Sequence, residues 1–312
     1  MELERSVGDV PKQPKYNNRL KKIFYSKKIA PYLFVLPFII SFLLLYTYPL
    51  IQAVIMSFQQ VLPGQTFYIG LENYRDLLNI TFYRAVRNTA MYTFWTIIVL
   101  IPLPLIFAVF LNSKVMRFKN FFRAAIFIPA LTSVIVAGTI FRLMFGEMET
   151  SLANQVTMFF GGEPKNWRMS AGTGMFLMVF LACWRWMGVN ILYFLAGLQN
   201  IPNELYESAE MDGAGPLLKF YYITLPFLKP VTIYVTTISI FAGFRMFEES
   251  FVYWQTNSPG NIGLTVVQYL YQQGFQYNNM GLGSAIGVVL LVIIFIVSVI
   301  YLLLTGAFKR EA

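Results

Sequence analysis

Residues 201–230 read IPNELYESAEMDGAGPLLKFYYITLPFLKP, a polar helix and turn inside a chain that is otherwise strongly apolar. Asn203 offers a side-chain acceptor to the free N–H groups of a helix start, and Glu204 and Glu207 fall in the first turn, where the helix dipole favours negative charge. A short helix is therefore predicted over 204–212. Gly213 follows where the chain must leave the helix, and Gly215 with Pro216 blocks a simple continuation. Leu205, Ser208, Ala209 and Asp212 stand at i, i+3, i+4 and i+7, so one face carries mostly small residues suited to a groove on another protein. Glu207 and Glu210 lie on the opposite face.

The rest of the chain identifies its solvent. Hydrophobic residues make up 57% and charged residues 12%, too apolar a balance for an ordinary soluble domain. At roughly 20 apolar residues per crossing, the sequence predicts an all-α membrane protein with six transmembrane helices. They fall at about 29–54, 89–111, 124–145, 173–198, 231–253 and 283–304. This divides the chain into a basic tail (1–28), a transmembrane domain (29–308) that contains the 201–230 loop, and a short tail (309–312).

Orientation follows from Lys and Arg. The tail carries Arg5, Lys12, Lys15, Arg19, Lys21, Lys22, Lys27 and Lys28, and the second connection carries Lys114, Arg117, Lys119 and Arg123. With six spans, Lys219, Lys229, Lys309 and Arg310 share that side, against Arg75, Arg84, Arg87, Lys165 and Arg168 on the other. Both termini and the 201–230 loop are then cytoplasmic. The formal charge of +9 clusters beside the spans, so topology accounts for it and a nucleic-acid partner is not expected. The tail is too long, and lacks the small-residue cleavage site, for a removable signal peptide. Cys183 is the only cysteine, which leaves no internal disulfide.

Catalytic chemistry is absent from the pattern. The chain has no histidine, which removes the commonest general base and metal ligand, and no Gly-Lys pair of the kind a phosphate-cradling loop needs. No catalytic residue and no metal site are therefore assigned, and no nucleophile turn is recognisable. A membrane enzyme or assembly factor is the weakest of the readings on this ground.

Ionisable groups in the bilayer are costly and usually face a cavity or a partner. Arg142, Arg185, Arg245, Glu248 and Glu249 fall within predicted spans. Arg245 stands three residues before Glu248 and four before Glu249, a spacing that predicts a local ion pair on one helix face. The alternative is that Arg185, Arg245 and Glu248 line a water-filled path for a polar solute. Two outer segments complete the reading: 69–78 is predicted as an amphipathic hairpin, and 257–263 as a tight polar turn.

The 201–230 segment resembles the EAA loop of ABC importer permeases. Glu207, Ser208, Ala209, Asp212, Gly213, Ala214, Ile223, Leu225 and Pro226 stand in that family's order and spacing. Ser208 departs from the usual second alanine. The resemblance extends to GLENYRDLL (70–78) and RAAIFIPAL (123–131), which look like the maltose-type first permease of the carbohydrate-uptake branch. The stretches 127–138, 145–155 and 244–265 are similar to permeases of Gram-positive arabino-oligosaccharide importers.

The resemblance implies a type I ABC importer permease fold in the bacterial cytoplasmic membrane. It implies a second permease subunit, a cytoplasmic ATPase dimer that binds the ATP and Mg, and an extracytoplasmic solute-binding protein. This chain itself would bind no cofactor. Glu207, Ser208, Ala209, Asp212, Gly213, Ala214 and Pro226 would couple ATP hydrolysis to alternating access, with Glu207 paired to a basic residue of the ATPase cleft. Trp186, Asn190 and Phe241 lie on the two spans that line the sugar path in maltose-type permeases and join Arg185, Arg245 and Glu248 as candidate path residues. Glycerol phosphate as solute, because the arginines suit an anion, and a gradient-driven carrier built on Glu248 and Glu249, remain the alternatives.

Overall fold

The structure is a computed structural model in which residues 28–62, 64–113, 116–255 and 257–307 are described. The basic residues at 5–27, Lys114, Lys309 and Arg310, on which the predicted orientation partly rests, lie outside them. The chain divides into two compact units between Gln52 and Ala53.

In the first unit the described segment is helical. Helix α1 (Ala30–Phe42) has a proline in its first turn, where a missing N–H costs nothing. It passes through a π-helical turn at Leu43–Thr47 into α2 (Tyr48–Met56). The π turn lies just ahead of Pro49, which cannot donate into a regular helical ladder.

After the end of α2, which belongs to the second unit from Ala53 on, comes an antiparallel hairpin of β1 (Gln59–Leu62) and β2 (Gln65–Tyr68), with Gln59 opposite Tyr68 and Leu62 opposite Gln65. The hairpin predicted over 69–78 is instead the short helix α3 (Glu72–Asp76), one element later. Asn73 explains the difference. Its buried amide donates to Ser57 O at 2.9 Å and to Gln59 O at 3.0 Å, which folds a helical turn back onto the start of β1.

Beyond it come α4 (Ile80–Leu100), α5 (Pro102–Asn112), α6 (Lys119–Leu131), α7 (Val134–Met144), α8 (Leu152–Phe159) and α9 (Ala171–Gln199). The polar loop holds α10 (Asn203–Met211) and α11 (Pro216–Lys219). Helices α12 (Leu225–Phe244), α13 (Glu248–Trp254), α14 (Val266–Tyr271) and α15 (Met280–Thr305) complete the unit.

Among the described residues five helical stretches are long and apolar enough to cross a bilayer: Pro31–Met56, Ile80–Asn112, Ala171–Gln199, Pro216–Trp254 and Met280–Thr305. The predicted third span is not one helix, since α6 and α7 meet at a 91° bend. Pro129 removes one rung of the ladder, and Thr132 and Ser133 take extended dihedrals, with ψ of 133° and 132°. The predicted fifth span is also interrupted. It ends at Phe244, and Arg245 to Phe247 separate it from α13.

Helix α9 is the hub. Its N-terminal half packs Met175, Leu177, Met178 and Leu181 against Tyr92, Phe141 and Tyr253, and its C-terminal half packs Ile191, Phe194 and Leu198 against Leu105, Leu228 and Val235. Between membrane helices lipid supplies no hydrophobic contrast, so association depends on close packing and on satisfied polar groups. Gly188 marks a close backbone approach on α9: a Cβ there would fall 2.1 Å from Ile126 O. Asn190 supplies the polar match. Pro104 has no N–H for Leu100 O, and the buried Asn190 Nδ2 donates to that carbonyl at 2.8 Å. Thr89, Thr93 and Thr96 return their hydroxyls to carbonyls of their own helix, so the polar stripe of α4 is satisfied.

Candidate functional site

The polar loop is built as a rigid projection. Helix α10 starts at Asn203 with Pro202 in the capping position and no side-chain cap bond, so Asn203 is the first helical residue and not the cap. Proline holds the extended entry that the helix start requires. At the other end Gly213 takes φ of +80°, with its N–H on Glu210 O at 3.0 Å, and Ala214 N–H closes on Ala209 O at 2.8 Å. This is a left-handed helix stop, which glycine adopts without steric cost.

Three contacts hold the helix against the membrane body. The Tyr206 hydroxyl lies 2.9 Å from Thr224 Oγ1, in the π-helical turn Phe220–Thr224. Lys219 Nζ pairs with Glu210 at 3.1 Å. Ile201 is buried in the same core as Phe194 and Leu228, on which Tyr206, Phe220 and Ile223 pack. Pro226 stands in the first turn of α12, directly after the π turn, and so joins the loop to its span. Glu207, Ser208 and Asp212 are left exposed, Ala209 and Ala214 half-buried, and Met211 and Leu217 expose 89% and 83% of their surfaces beside them. A projecting helix with free carboxylates and unburied apolar flanks is suited to a cleft on a partner. Met211 and Leu217 were not singled out from sequence, although two large apolar side chains within so polar a segment were a readable sign.

The intramembrane charges assemble differently from the predicted local pair. Arg245 caps the end of α12, outside α13, and among the described residues it pairs with neither Glu248 nor Glu249. Its guanidinium lies over the Phe241 ring, 5.0 Å from the centroid. Both carboxylates turn to Arg185 on α9, with Glu248 Oε2 at 3.3 Å and Glu249 Oε1 at 3.6 Å from Nη1. The Arg185 and Glu249 side chains are 10% and 7% exposed, whereas Glu248 is 56% exposed. Arg185 also lies over Trp186, 5.4 Å from the ring centroid, and its Nε has no hydrogen-bond partner among the described residues. The break after Phe244 creates the triad, because it frees the start of α13 to turn its two acids toward α9.

Trp186, Phe241, Arg245 and Glu248 are all exposed, which suits a path that a polar solute passes. Asn190 is buried and spends its amide on Leu100 O, so it acts as a helix tie. Glu249, absent from the predicted path set, is the buried partner that holds Arg185.

A second concavity, of about 770 Å³, opens between α4, α9 and the turn at Pro259–Asn261. Arg84, Arg87 and Trp95 line it; from sequence the two arginines served orientation alone and were not singled out as site residues, although the three share one helical stripe. Asn88 anchors the turn by donating to Asn261 O, Ile262 O and Leu264 O at 3.0 to 3.3 Å.

Apolar spans around a polar hub and a projecting helix–turn define a multi-span transport permease. Residues 81–310 match the family described as binding-protein-dependent transport system inner membrane component, and the chain belongs to that family. It is 63% identical over 306 residues to the arabinooligosaccharides transport system permease protein AraP of Bacillus subtilis (strain 168), covering 98% of this chain and 97% of that one. It is 59% identical over 294 residues to the protein of the same name from Halalkalibacterium halodurans, covering 94% and 93%. A chain of a bacterial alginate ABC transporter, solved in complex with an alginate pentasaccharide-bound periplasmic protein, shares the fold. Its TM-score is 0.81 at 20% identity, over 94% of this chain and 99% of that one. The protein is thus an ABC transport permease of the cytoplasmic membrane and not itself an enzyme.

Proposed function

We propose that this chain is one permease half of an ATP-driven, binding-protein-dependent importer of oligosaccharides, with arabino-oligosaccharides as the solute class. The near full-length similarity to the two arabino-oligosaccharide permeases carries the reading. In this reading the bent α6–α7 pair counts as the sixth span, and both termini and the α10 projection are cytoplasmic. ATP and Mg belong to a partner ATPase dimer. Closure of that dimer drags α10 with it, and the two permeases rock between inward-facing and outward-facing states. Glu207, Ser208, Ala209, Asp212, Gly213 and Ala214 dock and turn, and Pro226 passes the motion to α12.

Solute passes Trp186, Phe241, Arg245 and Glu248. Glu248 and Glu249 already neutralise Arg185, which favours a neutral sugar over a glycerol phosphate at that point. The same pairing ties up the two carboxylates a gradient-driven carrier would use.

The test is purification of the tagged chain with its partners, followed by ATP hydrolysis with binding protein and arabino-oligosaccharide. A second permease and an ATPase should copurify, and sugar-stimulated hydrolysis should fall in Glu207→Ala. A chain that comes alone, is indifferent to Glu207 and takes up sugar only with an ion gradient overturns the reading.

A further inference from the structure

The cleft beside α4 is polar at one end and apolar at the other. Its α4 wall presents Arg84, Arg87 and Asn88, then Met91, Trp95 and Val99. On the α9 wall the small residues Ala171 and Gly172 widen the arginine end, and a Cβ on Gly172 would meet nothing within 4 Å. Farther along, Phe176, Val179, Phe180 and Cys183 continue the apolar floor.

No carboxylate lines the cleft among the described residues. Arg84 gives one guanidinium N–H to Gly260 O at 2.8 Å and keeps its other donors. Arg87 makes no hydrogen bond or ion pair among the described residues. Two guanidiniums without a counter-charge suit a phosphate, which they hold by paired N–H donors.

The length of the cleft identifies the rest of the ligand. Fifteen residues of α4 separate Arg84 from Val99, and at about 1.5 Å per residue the stripe is about 22 Å long. One leaflet with its headgroups is half of about 40–45 Å. A cleft that is cationic at headgroup depth and aromatic to mid-bilayer matches one lipid molecule. A bound sugar would want hydroxyl partners along its whole length, which this floor does not supply.

From this we infer that the α4–α9 cleft is a binding site for an anionic phospholipid, with its phosphate on Arg84 and Arg87 and an acyl chain along Met91, Trp95 and Phe180. Placement in the outer leaflet rests on the orientation proposed for the permease. Retention of lipid does not, and it is read as bound lipid and not as sugar transport, so failure of the two readings is distinguishable.

The experiment is native mass spectrometry of the full chain, with the partners it carries, after exchange into detergent with phosphatidylglycerol or phosphatidylcholine. Wild type should retain phosphatidylglycerol in preference to phosphatidylcholine. Arg87→Gln, which breaks no hydrogen bond or ion pair among the described residues, should weaken that retention about fivefold, the contribution of one basic residue near an anionic lipid surface. Gly172→Leu, which fills the wide end, should weaken it as well, with both melting temperatures unchanged. Equal retention of the two lipids, indifference to both substitutions, or displacement by inorganic phosphate or arabino-oligosaccharide would each overturn the assignment.

Discussion

Arg185 and Glu249, 64 residues apart along the chain on α9 and α13, lie 3.6 Å from each other, 10% and 7% exposed. A buried ion pair adds little net stability, yet removing one partner leaves an uncompensated charge and costs about 3–5 kcal/mol. Arg185→Met, which strips the buried Glu249 of its cation, should therefore lower the melting temperature of the purified chain sharply. Arg185→Met with Glu249→Leu should recover most of the loss. Equal melting temperatures for the single and double variants would show that the pair is not coupled.

Asn190 tests the helix tie. Asn190→Leu leaves Leu100 O buried and without a donor, at a cost of about 1–3 kcal/mol. Stability should drop while the sugar concentration at half-maximal uptake stays the same. A changed sugar dependence at unchanged stability would return Asn190 to the solute path.

Gly213 holds φ of +80° and donates to Glu210 O. Proline locks φ near −65° and has no N–H, so Gly213→Pro conflicts with the turn on both counts. The variant should insert normally and lose coupled transport, read as sugar-stimulated ATP hydrolysis in the reconstituted complex. Wild-type uptake by Gly213→Pro would remove the docking role from this turn.

Tyr206 and Thr224 bridge the projecting helix to the root of α12 at 2.9 Å. Tyr206→Phe deletes that bond at about 1 kcal/mol while leaving the ring packed on the core around Ile201 and Leu228. Sugar transported per ATP should fall although the ATPase still copurifies. An unchanged ratio would mean that packing alone transmits the motion.

Composition and the lengths of apolar runs located most of the spans, because water and lipid select residues by type along a whole helix. Gly213 marked its turn correctly, because a left-handed residue is a local steric requirement. Local inference failed where another residue, adjacent or distant along the chain, claimed the position. Asn203 looked like a cap until Pro202 held that position, and 69–78 looked like a hairpin until Asn73 was bound to Ser57 and Gln59. The 124–145 span read as continuous, since apolar composition alone carries no sign of a 91° bend.

The sequence by itself determined a multi-span membrane chain with a projecting polar turn between its fourth and fifth predicted spans. Those properties follow from transfer energies and backbone sterics, which act residue by residue. Only the tertiary structure decided which charges meet. Arg245 was the nearer partner for Glu248 and Glu249 along the chain, but the break after Phe244 turned both carboxylates to Arg185 on another helix. Pairing inside a low-dielectric bundle is set by which side chains the packing desolvates together, and sequence spacing does not encode that.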